Sequence, residues 1–232
     1  MIKKLKENQR FEITILLIFM TIFCFSLSIF RYYISETKVF FFLNWNLFLA
    51  GIPFLISSFL LIFNIKSKLS LIIAIVVWIL FFPNSPYILT DLFHLKIRSS
   101  VPIWYDLVVI LSYAWTGLFF GFISLLDIEK LLSAYFRRST INIITVSFLF
   151  LTSFGVYLGR FLRWNSWDIL NNPFGLFNDI AVRIIYPMEY TKTWGVTILM
   201  GIMLNFMYFM MKSMKNIHKP EIDHEIRNST HF

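Results

Sequence analysis

Charge and cysteine are what this chain has least of. Only 15% of its 232 residues are charged, against roughly 25% in soluble domains. A single cysteine, Cys24, lies inside an apolar run. One cysteine excludes an internal disulfide and any cysteine-rich metal site, so Cys24 reads as an ordinary lipid- or core-facing side chain. The short motifs of familiar chemistry are missing too: there is no P-loop, dinucleotide fingerprint, His-Glu-x-x-His or nucleophile elbow. No internal repeat, low-complexity tract or soluble domain interrupts the chain. In their place stands apolar surface, with 58% hydrophobic residues and phenylalanine at 28 positions. A chain of this composition takes the bilayer as its solvent.

The net charge of +8 raises the question of nucleic acid. The basic residues, however, are scattered at the ends of apolar runs and form no stripe, so they read as flanking charges that set orientation, with no nucleic-acid partner. Six apolar segments can be marked, at about 12–33, 43–63, 69–83, 105–126, 141–161 and 194–211, followed by a polar tail at 212–232. The first has an apolar run at 13–30, too long for the core of a signal peptide and without a small-residue cleavage site behind it, so it is expected to be a retained span. The third is short. Its strictly apolar part, 69–82, holds 14 residues and rises only about 21 Å at 1.5 Å per residue. It can cross if Lys66 and Lys68 snorkel at one end and the stretch from Pro83 to Pro86 is buried at the other.

Charge counting favours that crossing. Six spans place 13 basic residues on the side of the two termini and 8 on the other, whereas five spans give 12 against 9. The expected fold is therefore an all-α polytopic helix bundle, a single integral membrane domain with about six transmembrane helices and both termini cytoplasmic. The connections at 83–104 and 162–193 then face the extracytoplasmic side. They are also the longest, and the richest in Trp, Asn, Asp and His.

Two clusters in those connections could carry chemistry. In Phe82-Pro83-Asn84-Ser85-Pro86-Tyr87-Ile88-Leu89-Thr90-Asp91-Leu92-Phe93-His94, Asp91 and His94 are three apart and share a helical face. A carboxylate can orient an imidazole for acid–base work, and the pair could donate two ligands to a divalent metal. Asp106 and Asp168 are the candidates to assist or to complete such a site, and Asn84 and Tyr87 are candidate substrate contacts. The plainer reading makes Asp91 a helix cap and leaves His94 at headgroup level. In the second cluster, Gly159-Arg160-Phe161-Leu162-Arg163-Trp164-Asn165-Ser166-Trp167-Asp168, a continued helix puts Arg160, Arg163, Trp164 and Trp167 on one face, with Asn165 beside them. Two guanidiniums flanked by indoles suit an anionic group. The plainer reading is an interfacial anchor. Asn165-x-x-Asp168 also has the form of a cap that would start a new helix and break that face.

Gly117-x-x-x-Gly121 and Gly155-x-x-x-Gly159 mark the fourth and fifth spans as close-packing, within the chain rather than between chains. Thr116 and Asn205 are expected to satisfy hydrogen bonds between helices. Asn228-Ser229-Thr230 matches a glycosylation sequon but falls in the tail assigned to the cytoplasm.

The two clusters, with Pro102-x-Trp104-x-Asp106-Leu107 and Trp115-x-Gly117, resemble the signature of a bacterial membrane-protein family known as domain of unknown function 1361. The likeness runs from about the second span to the sixth. It implies a multi-pass protein of the bacterial cytoplasmic membrane and brings no established reaction. Three functions compete. One is an enzyme whose extracytoplasmic site, formed by Asp91, His94, Asp106 or Asp168, and Arg160 and Arg163, acts on an anionic lipid or cell-envelope substrate. A second is a transporter or channel with a broken third helix. The third is an assembly protein binding a partner through Trp104, Trp164 and Trp167.

Overall fold

The computed structural model describes residues 10–63, 67–97 and 101–217. Lys66, the sequon and several of the basic residues counted above lie outside the described residues. Among the described residues every regular element is a helix, and six helices are long and apolar enough to cross a membrane. They are α1 (Phe11–Ser35), α2 (Phe42–Phe63), the compound span Lys68–His94, α5 (Ile103–Leu132), α6 (Arg138–Leu162) and α9 (Thr191–Ile217). The last helix continues through Lys212, which pairs with Glu129 at 2.6 Å, so the polar tail begins later than position 212.

The third span corrects one expectation. Residues 84–94 are no loop: they continue the span inward, between its neighbours. Helix α3 (Lys68–Phe81) starts at the Ser67 cap, passes through Phe82 and Pro83 into the single turn α4 (Asn84–Tyr87), and ends as a 3₁₀ segment, Ile88–His94. The compound span has 27 residues, which removes the length deficit of its apolar part. Two prolines do not stop it because side chains supply donors to backbone carbonyls at the break. Pro83 and Pro86 lack backbone N–H groups. Around them Asn84 Nδ2 donates to the Phe81 carbonyl at 2.9 Å, and Ser166 Oγ donates to the Leu80 carbonyl at 3.0 Å. Non-helical backbone at membrane depth requires such donors.

The glycine motifs serve this same segment. A Cβ at Gly117 would lie 2.8 Å from Ile88 Cδ1, and one at Gly121 would lie 2.7 Å from Ser85 Cβ. On the other side, Gly155 would meet Pro83 at 3.1 Å and Gly159 would meet Tyr87 at 3.2 Å. Helices α5 and α6 therefore use their small residues to grip the broken span between them rather than to touch each other. Ser85 Oγ adds a hydrogen bond to the Ala50 carbonyl of α2 at 3.1 Å.

Helix α5 is the axis of the bundle. One apolar core joins it to α1, α2 and the 3₁₀ segment through Cys24, Leu47, Ile88, Val109 and Tyr113. A second joins it to α3, α6 and α9 through Trp78, Phe82, Leu118, Leu149 and Tyr208. Buried ion pairs close each end. Arg31 Nε meets Asp106 Oδ1 at 2.7 Å at one end, and Arg10 meets Asp127 at 2.6 Å at the other. Cys24 Sγ lies 3.4 Å from Thr116 Oγ1, across helices. Asn205, by contrast, donates within its own helix to the Gly201 carbonyl at 2.8 Å.

The 162–193 connection contains two further helices, α7 (Asp168–Asn171) and α8 (Pro173–Ile185). Asn172 caps α8 by accepting from the Gly175 N–H at 3.1 Å, and Pro173 occupies its first turn. Helix α8 is amphipathic. Phe174, Phe177, Ile184 and Ile185 are exposed, while Leu176 and Ile180 are partly buried and, with Ile184, line a cavity.

Candidate functional site

Two structures meet at the end of the bundle where the third span finishes. The first is a buried polar cluster around Asp91, which is only 1% exposed. The 3₁₀ turn points Thr90 and Asp91 at α6, where Arg160 Nη2 donates to Asp91 Oδ1 and Arg160 Nε donates to Thr90 Oγ1 at 2.6 Å. Asn46 Nδ2 of α2 donates to the other carboxylate oxygen at 2.9 Å. The guanidinium also lies over the Tyr87 ring, 4.4 Å from its centroid. His94 Nδ1 is 3.8 Å from Asp91 Oδ1, and its ring packs on Phe42 with centroids 5.1 Å apart. Both charges are desolvated and both carry several hydrogen bonds, the condition under which a buried pair is tolerated.

The second structure is a cavity of about 740 Å³ beside this cluster, within the range of ligand sites, roughly 300–1,000 Å³. Its walls come from α2, the α3–α4 turn, α6, the 164–167 loop, α8 and the start of α9. Most of the lining is aliphatic or aromatic, including Leu49, Phe154, Leu158, Ile180 and four tryptophans. Asn46, Asn84, Tyr87, Asn165, Ser166 and Thr197 supply its polar points. Asn84 Nδ2 donates to Ser166 Oγ at 3.1 Å, tying the third span to the loop after α6.

The candidate residues divide between these places. Asn84, Tyr87, Trp164, Asn165 and Trp167 line the cavity, as do Gly155 and Gly159. Asp91, His94 and Arg160 lie behind the wall in the polar cluster. The single arginine–tryptophan face is corrected. Helix α6 ends at Leu162, and Arg163 adopts a left-handed conformation (φ 64°) with its N–H bonded to the Leu158 carbonyl. Arg163 is exposed and turned from the Arg160 face. Trp164 Nε1 donates instead to Asp179 Oδ2 of α8 at 2.8 Å. The cap alternative describes the loop: Asp168 accepts from the Asn165 backbone N–H at 2.7 Å and from its side chain at 3.2 Å.

Asp106 and Asp168 do not join Asp91 and His94. Asp106 is held by Arg31 and Asp168 by Asn165. Among the described residues no group of three or more His, Cys, Asp and Glu side chains could hold a metal ion. Asn46 and Thr90 carry no local signal in the sequence, since their partners are set by packing, and neither does Thr197, whose place in the wall is set the same way. Helix α8 did carry one, Asn172-Pro173 ahead of apolar residues at spacings of three and four.

Fold and site together define a multi-pass helical membrane protein with a largely apolar cavity between its broken third span and an amphipathic helix. The chain belongs to the family described as Protein of unknown function (DUF1361), whose family model matches residues 45–207. The matched region contains the broken span, both glycine motifs and every residue of the cavity wall. No curated protein and no solved structure matches the chain.

Proposed function

We propose that this protein binds a lipid, taking one apolar chain into the cavity and holding its polar end against the Asn46–Asn84 side of the wall. The observation that carries this reading is the cavity itself, apolar over most of its surface with a few polar groups gathered near the end of the spans. Helix α8 supports it. One apolar face covers the cavity and the other, with Phe174 and Phe177, is exposed in the manner of helices that lie in the membrane interface. The bias of basic residues toward the two termini supports a site opening to the extracytoplasmic face of a bacterial cytoplasmic membrane.

Binding is favoured over turnover by where the ionisable groups stand. Asp91 and His94, the natural acid–base pair, lie outside the wall, and the Asp91 carboxylate is engaged by Arg160 and Asn46. A fatty-acyl probe with a diazirine midway along its chain tests the reading in the full chain reconstituted in bilayers. Cross-links should concentrate on peptides spanning 150–158 and 176–184. Labelling spread evenly over the lipid-facing helices would overturn it.

A further inference from the structure

The wall also constrains the polar end of whatever it holds, an inference that rests on the lipid-binding reading above. Among the described residues lining the cavity there is no Asp, Glu, Lys, Arg or His. Of the cations next to wall residues, Arg163 is exposed and is not part of the lining, and the others are engaged elsewhere. Arg160 is held by Asp91 and Thr90, Arg183 by Asp179 at 2.9 Å, and Lys192 lies over the Phe161 ring at 4.3 Å. A phosphate or carboxylate entering here would lose its water and gain no counter-charge, which is strongly unfavourable.

What the wall does offer is neutral. The amide nitrogens of Asn46 and Asn84 already donate to Asp91 and to Phe81 and Ser166. Their amide oxygens remain as acceptors, which suits a ligand hydroxyl. On the opposite wall Thr197 is 5% exposed, and its Oγ1 has no hydrogen-bond partner. A buried hydroxyl left unmatched in the protein is the group a ligand oxygen would satisfy. Size points the same way. The cavity volume of about 740 Å³ is that of a small-ligand site, roughly 300–1,000 Å³, which suits one chain with a small head.

We propose that the cavity selects an uncharged, hydroxyl-bearing lipid with a single chain. Its hydroxyls donate to the Asn46 and Asn84 amide oxygens, and a carbonyl or ether oxygen of the ligand accepts from Thr197. The anionic head expected from Arg160 and Arg163 is replaced by a neutral one, because neither arginine reaches the wall.

The decisive probes are monoolein and 1-oleoyl lysophosphatidic acid, which share chain and glycerol and differ by a phosphate. Binding of each to the full chain in phosphatidylcholine nanodiscs is measured by native mass spectrometry. Monoolein should bind at least tenfold more tightly. Thr197→Val, which keeps the shape and removes the hydroxyl, should weaken monoolein at least threefold without lowering the thermal midpoint. Equal or tighter binding of lysophosphatidic acid would overturn the uncharged head and leave the lipid reading standing. Binding of neither probe would overturn the lipid reading itself. Monoolein binding unchanged in Thr197→Val would remove Thr197 from the site.

Discussion

The Asp91 cluster and the cavity share Asn46 and Tyr87 as a common partition, yet the two sides are built differently. Behind the partition lie an ion pair and a threonine, buried and hydrogen-bonded to one another, with a part-exposed histidine beside them. In front lies a space walled by tryptophan, leucine and isoleucine, with an unpartnered threonine hydroxyl. The ionisable residues that dominate the sequence here hold the protein together, and the room for a ligand is made by neutral side chains. Buried charge in a membrane protein is commonly a mark of function. Here the Asp91–Arg160 pair joins the broken third span to α6.

Asp91→Ala should have the largest effect on that comparison. It leaves the Arg160 guanidinium buried without its counter-charge, a loss of about 3–5 kcal/mol. Thermal unfolding in detergent would register it as a marked fall in midpoint and as reduced membrane yield. Removing both charges, as Asp91→Asn with Arg160→Gln, should cost less than Asp91→Ala alone. A larger loss in the double variant would show that the pair is no unit. Asn46→Ala comes next, at about 1.5–3 kcal/mol, because it removes a hydrogen bond to a carboxylate. It is also the one substitution expected to weaken both stability and lipid binding.

Gly121→Val puts its side chain into Ser85 and should cost about 1–3 kcal/mol. Limited proteolysis should show the strain as early cleavage near the 84–94 segment. A midpoint equal to wild type would deny that the glycine motifs grip that segment. Arg163→Gly should have the smallest effect. Position 163 is left-handed, a conformation that costs a non-glycine residue about 1–2 kcal/mol, so the midpoint should hold or rise slightly. A clear loss would mean that Arg163 has a partner in the membrane.

Hydropathy made most of this architecture readable: six spans, of which the first, second and fifth have ends within three residues of those observed, because those runs are long and apolar. The third span was legible only up to Phe82. Proline ends helices by local rules, and what carries the chain past Pro83 and Pro86 is a pair of side chains, one from Ser166, more than eighty positions away. The glycine motifs were legible as close-approach sites, but which backbone approaches is a matter of tertiary packing. Asp106 looked like a partner for Asp91 because it stands just before the fourth span, on the same expected side of the membrane. Its actual partner, Arg31, is 75 positions away, and spacing carries no signal over that distance. The cavity was invisible for a related reason. It is the space enclosed by segments far apart in the sequence.

The lipid-to-protein ratio of the folded, purified chain tests the division most directly, compared between Ile180→Trp, which fills the cavity from α8, and Asp91→Asn, which weakens the cluster behind it. Ile180→Trp should lose at least tenfold of the retained single-chain lipid while keeping the wild-type thermal midpoint. Asp91→Asn should retain wild-type lipid while its midpoint falls. Full lipid retention in Ile180→Trp, together with loss of lipid from folded Asp91→Asn, would place the ligand at the charged cluster and contradict the account.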